Sequence, residues 1–293
     1  MTRQPLSPRS TYRPDFGGVW AKIDRAREHT QALNREIGVG PDGIPTPFSA
    51  IHRIPIRLDY EPDTGQHVFS TAAAPPEDVL RRWSIITGDA IHNLRSALDH
   101  LFWQLALVAS DGKVPWTDRQ IREIQFPLTD TPEWFTKSRA LKYITPGHRA
   151  IIKEHQPHGS RFDFSRGAIH PFSKLRDLSN LDKHRLIIEA PALADNLIVD
   201  TAAIFGNAGG EIIEEHDGNG IGHPLARDAE IMRVKVRPAS LQLNMEVVGY
   251  IAMEPSLKDV LPNGTLYVRS VGIELLQITR QTVELIRQVE RAP

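Results

Sequence analysis

The sequence predicts an α+β fold, a helical bundle built on one long central helix at about 77–109 and packed with an antiparallel β-sheet. Three observations predict it. No proline falls between Pro76 and Pro115, and apolar residues recur there at helical spacing. Segments such as 50–60 and 241–247 alternate apolar with polar residues, the period of a half-buried strand. The character also changes after Arg185, from helix-like to strand-like, before an amphipathic pattern returns at 267–289.

The central helix is the clearest element. Pro75 and Pro76 precede Glu77 and Asp78, and prolines with acids suit a helix N-terminus. Gly88 is the weak point, at about 1 kcal/mol relative to alanine. At about 100° per residue, Trp83, Thr87, Ile91, Leu94, Leu98, Leu101, Leu105 and Val108 form one seam, the core face of a bundle helix. The opposite face carries Asp89, His92, Asn93, Arg95, Ser96, Asp99, His100 and Trp103. A solvated helix face is usually rich in Lys and Glu, yet neither occurs between Arg82 and Lys113. The polar face is therefore expected to be covered, by another helix or by a second copy of the chain. Its groups must then pair, Arg95 with Asp99 (i, i+4) and His92 with Asp99 (i, i+7).

The other elements follow in order. Residues 1–16, with Pro5, Pro8, Pro14, Arg3, Arg9 and Arg13, read as a disordered basic arm. Trp20, Ile23, Ala26, Thr30, Leu33 and Ile37 give a helix that ends at Gly38 and Gly40. Residues 50–60 and 67–73 form a hairpin across the turn Pro62, Asp63, Thr64, Gly65. A long irregular stretch, 110–146, is expected to be pinned by burial of Trp116, Phe126, Trp134 and Phe135. A short helix at 146–155 and a loop at 156–171 lead to a helix at 172–184, with Phe172, Leu175, Leu178 and Leu181 on one side. Strands are expected at 186–188, 197–205, 212–214, 230–237 and 241–253, with glycine-rich turns between. No Lys-Ser/Thr pair follows those glycines, so they do not form a phosphate loop. A last helix occupies 267–289. The whole reads as one domain over 17–293, with a helical core (17–190 and 265–293) and a β-rich part at about 186–255.

Composition narrows the function. A net charge of -1 over 293 residues supplies no global basic field, so nucleic acid would need a local patch. The absence of cysteine excludes disulfides, thiolate catalysis and cysteine-bound zinc. No apolar run nears the ~18 residues of a membrane span, and the N-terminal stretch lacks the apolar core of a secretory signal. No membrane association is expected, and the cytoplasm is the expected compartment.

The segment Arg95-Ser96-Ala97-Leu98-Asp99-His100 resembles the R-x4–6-H signature of the HEPN superfamily. The resemblance implies a metal-independent endoribonuclease or RNA-binding protein without a cofactor, completed where two such helices meet in a homodimer. His100 would then move protons, Arg95 would bind phosphate charge, and Asn93, Ser96 and Asp99 would orient them. A histidine suits acid–base work on a ribose hydroxyl, and an arginine fork suits a phosphate. On the wheel, however, Arg95 and His100 lie about 140° apart, so a facing helix would have to bring the two edges together. Ser96 stands where many family members carry Asn, Asp or His. The paired blocks GDAIHNLRSALDHLFWQL and LSNLDKHRLI also resemble a widespread group of uncharacterised bacterial proteins, over roughly residues 75–190.

The second block places Asp182, Lys183, His184 and Arg185 at a helix C-terminus. The cations there complement the helix dipole, or Lys183, His184 and Arg185 hold RNA beside the polar face. Two alternatives stay open. Asp89, His92, Asp99 and His184 are N/O ligands for a metal hydrolase, although Arg95 beside them repels a cation. Or the polar face is a hydrogen-bond network that fixes a non-catalytic dimeric interaction module. The remaining histidines are scattered and read as surface or satisfied core residues.

Overall fold

The computed structural model describes residues 10–37, 53–159, 170–184, 192–198, 211–217, 226–237, 250–255 and 271–291. They form a mixed α+β fold. The chain divides into two compact units, one of Met1–Glu28, Asp89–His184 and Leu275–Pro293, the other of His29–Gly88 and Arg185–Glu274. No described helix is long and apolar enough to cross a membrane.

The second unit holds the sheet. Its strands are β1 (Arg53–Glu61), β2 (Gln66–Thr71), β3 (Ala192–Ile198), β4 (Glu211–Asp217), β5 (Glu230–Arg237) and β6 (Tyr250–Pro255). Their spatial order is β3-β6-β1-β2-β5-β4, and every neighbouring pair is antiparallel. The β1–β2 hairpin turns where the sequence predicts. Gly65 adopts φ +66°, open to glycine without strain, and its N–H donates to Glu61 O. Leu58, Phe69, Val234 and Val236 form the buried face, with Ile56 and Met232 against them. The expected strand at 230–237 coincides with β5. The expected strand at 197–205 overlaps only the end of β3, and 186–188, 199–205 and 241–249 lie outside the described residues.

The first unit is helical, although 29–37, 77–88 and 271–274 of its helices are counted with the second. The first two helices are α1 (Gly17–Ile37) and α2 (Glu77–Ala109). They are followed by α3 (Asp118–Glu123), α4 (Pro132–Lys137), α5 (Pro146–Glu154), α6 (Pro171–His184) and α7 (Val271–Arg291). Within this unit α1 buries Val19, Ile23 and Ala26, α6 buries Phe172, Leu175 and Leu178, and α7 buries Leu275, Ile278, Leu285, Ile286 and Val289. Trp20, expected in the core stripe, is half-buried, and its indole N–H donates to Glu290 at 2.8 Å. Two buried threonines of α7 are satisfied locally, Thr279 donating to Leu275 O and Thr282 to Ile278 O.

The seam expected on α2 is buried from Trp83 to Leu105, while Val108 is half-buried. The covered face is wider than the seam, because Ala97, Phe102 and Ala106 are buried too. Part of the cover comes from 110–146, where Phe126 packs on Phe102 and Trp116 on Trp103, and that stretch is more regular than expected. α3 opens on a capping box of Thr117 and Gln120, and α4 and α5 open on Thr131 and Thr145, each followed by proline. Helices of six residues carry too little periodicity to be read from pattern, although their threonine caps are visible in the sequence. Phe126 and Phe135 are buried as expected. Trp116 is half-buried between Trp103 and Tyr143, with ring centroids 5.6 Å and 5.8 Å away. Trp134 is 65% exposed, contrary to the expected burial. On a helix of six residues, α4 turns Phe135 inward, and the adjacent position, about 100° away, faces out.

α2 ends at Asp111 and Gly112, both with positive φ (54° and 76°), and Gly112 N–H donates to Leu107 O. A Cβ on Gly112 would fall 2.6 Å from the Tyr12 ring, so glycine is required twice over. The Asp111 carboxylate accepts from the hydroxyls of Ser10 and Thr11 and from the N–H groups of Thr11 and Tyr12. Those bonds, Thr11's first, hold its carboxyl below the usual carboxylate range. Residues 10–16 are therefore tied to the end of α2 and do not belong to a free arm.

The N-terminus of α6 carries a pH dependence. His170 is buried, and its Nδ1 accepts the N–H of Phe172 at 3.0 Å, in the manner of a cap. Burial, reinforced by neighbouring His155 and opposed by Asp130, pushes the His170 pKa from 6.5 down to about 4. Between those values the unfolded chain holds a proton that the folded chain does not. Stability from this residue is complete above pH 6.5, falls as the pH drops and levels off below about 4. Urea midpoints measured across that range should show the decline, and His170→Asn, a cap that does not titrate, should flatten it. His148 and His158, also lowered by burial, leave a residual slope. An unchanged slope in the variant would contradict the assignment.

Candidate functional site

The site residues predicted on α2 separate into two groups once their neighbours are known. Arg95 faces inward, with only 13% of its side chain exposed. Its Nε and Nη2 donate to the two carboxylate oxygens of Asp99 at 3.1 and 2.9 Å, and Nη2 also donates to Phe126 O at 3.0 Å. Asp99 Oδ1 accepts the N–H of Phe126 at 2.9 Å. Both backbone polar groups of Phe126 are thus satisfied by one ion pair on α2. This clamp holds 124–128 against the helix, much as a strand partner would, and satisfies a segment that has no secondary structure of its own.

The predicted Arg95–Asp99 pairing is present. The pairing of His92 with Asp99 is not. His92 is exposed, and seven residues along a helix is about 10.5 Å of rise, beyond the reach of the two side chains. Asn93 is buried and donates to its own helix, at Asp89 O (2.8 Å). Ser96 is half-buried, and Asp89 is exposed. Of the expected metal ligands, Asp99 is already engaged by Arg95. Among the described residues no group of three or more His, Cys, Asp or Glu is placed to hold a metal ion. The side chains of Asp182, Lys183 and His184, and Arg185 altogether, lie outside the described residues.

His100 has a different setting. It is exposed and lines a cleft of about 510 Å³ together with Asp15, Val19, Trp103, Gln104 and Ile124. Asp99 and Gly18 complete the wall, and Arg95 does not line it. Each neighbour is fixed by its own local chemistry. Asp15 caps α1 by accepting Gly17 N–H at Oδ1 (2.8 Å), and its own N–H donates to Gln104 Oε1 (3.0 Å). The same Gln104 oxygen accepts the Tyr12 hydroxyl at 3.0 Å. Trp103 is half-buried and held edge-to-face by Trp116. The polar helix face is thus covered over Arg95 and Asp99 and open at Asp89, His92 and His100.

Sequence reasoning singled out Asp99, His100 and Trp103 but not Asp15, Gln104 or Ile124. Asp15 falls inside the presumed arm, and Gln104 and Ile124 carry no motif. Only the spacing of Asp15 to Gly17, an aspartate just before a helix start, could have flagged the first. Comparison with protein-family models, curated proteins and solved structures found no match.

Proposed function

We propose that this chain is a HEPN-like, non-catalytic interaction module, in which the Arg95–Asp99 pair of α2 serves the fold and the open part of the same face serves recognition. One observation carries the reading. The guanidinium of Arg95 is committed to Asp99 and to Phe126 and stands outside the cleft that His100 lines. A ribonuclease of the R-x4–6-H kind needs a cation and a proton carrier on one phosphate, and here the two point to different surroundings. The exposed edge at Asp89 and His92, on a stretch of α2 that holds no Lys or Glu, offers a surface for a second copy of the chain.

The test is incubation of the full chain with labelled single-stranded and structured RNA, with EDTA and with added magnesium. The expected result is no cleavage under either condition, and no difference between the native chain and His100→Ala. Light scattering should give twice the chain mass, and Asp89→Lys with His92→Lys should return it to one. EDTA-resistant cleavage that disappears in His100→Ala would overturn this reading.

A second reading, the metal-independent ribonuclease, is favoured by the exposure of His100 in a cleft. It requires a second copy to bring a cation to that histidine, so it predicts activity in the dimer alone.

A further inference from the structure

The cleft around His100 has a definite chemical character. Of its charged lining residues, Asp99 is already neutralised by Arg95. Asp15 is exposed, and among the described residues its Oδ2 makes no hydrogen bond, since the cap to Gly17 uses Oδ1. Among the described residues, no Lys or Arg lines the cleft. Among these residues an anion would meet a carboxylate and no Lys or Arg. The remaining walls are Trp103, Val19 and Ile124, one aromatic and two aliphatic surfaces. A carboxylate and an indole lining one partly apolar cleft suit a positive group on an apolar stem, since such a cation gains both from the charge and from the ring quadrupole.

We infer that this cleft binds an organic cation, an ammonium or guanidinium group carried on an alkyl stem, between Asp15 and Trp103. The inference deepens the interaction-module reading and rests on it only in taking the open part of the α2 face as a recognition surface. Gln104 acts as a positioning residue. Its side-chain oxygen holds the backbone of Asp15 and the hydroxyl of Tyr12, and so sets where the carboxylate stands. His100, exposed in the lining, is the position at which charge can be changed without disturbing the core.

The same chemistry has two sources, a free polyamine or the side chain of a partner polypeptide, and calorimetric titration of the full chain separates them. The probes are agmatine for the first, N-acetyl-arginine amide for the second, and inorganic phosphate as the anionic control. The expected result is binding of a cationic probe and none of phosphate. The tighter of the two cations identifies the source. Asp15→Asn, which keeps the helix cap, should weaken binding about three- to fivefold, the factor for one exposed ion pair. His100→Lys should weaken it and His100→Glu strengthen it, opposite signs that a purely structural histidine would not give. Binding of phosphate, binding of neither cation, or affinity unchanged in Asp15→Asn would each overturn the inference. Absent cation binding together with absent RNA cleavage defeats this inference alone. EDTA-resistant cleavage lost in His100→Ala defeats the module reading, whatever the cations do.

Discussion

Phe126→Ala is expected to lower the unfolding free energy by about 3–5 kcal/mol, the range for truncating a buried aromatic ring. The ring is 1% exposed and lies between Phe102 of α2 and Phe172 of α6, with centroids 6.2 and 5.9 Å away and both contacts edge-to-face. Its segment has no regular structure, and this ring and the clamp of Arg95 and Asp99 are among the contacts that fix it to the helices. Removing the ring opens a cavity walled by two other rigid aromatic side chains, which cannot collapse to fill it. Urea unfolding followed by circular dichroism measures the loss, and Phe126→Leu, which keeps an apolar plug, should lose less than half as much. A loss under about 1 kcal/mol would mean that the aromatic stack is not part of the stable core.

Asp99→Ala comes next, with an expected loss of about 2–3 kcal/mol. Two groups are stranded at once: a guanidinium with 13% of its side chain exposed loses its counter-charge, and the N–H of Phe126 loses its acceptor. Arg95→Met should lose less, because it removes the buried charge with its partner bonds and leaves a 29% exposed carboxylate that still accepts from Phe126. The double variant Asp99→Ala with Arg95→Met should fall well short of the sum of the two, which a double-mutant cycle reads directly. This measurement also bears on function. An arginine kept for phosphate would tolerate loss of Asp99 within about 0.5 kcal/mol, the range of an ordinary surface change.

Much of the architecture was legible in the chain itself. The prolines at 75 and 76 and the apolar seam from Trp83 to Leu105 mark α2 at its observed start, and the Pro62-to-Gly65 turn marks the hairpin. These signals are local: a periodic stripe, a cap or a turn residue acts within a few positions, so sequence spacing reports it. The segment 110–146 was less readable, because its short helices depend on single caps and its burial depends on residues far away in sequence.

The candidate site divides along the same line. The i, i+4 spacing of Arg95 and Asp99 was enough to predict their pairing, since a helix brings such positions together whatever surrounds it. That the pair holds Phe126 in place, that His100 opens on a cleft while Arg95 does not, and that Asp15 and Gln104 join it, was decided only by tertiary structure. Those contacts link positions 27 to 89 residues apart, and no periodicity spans such distances. A sequence states which groups a helix face carries. Whether each group meets solvent, a backbone or a ligand is settled by what the rest of the chain lays over that face.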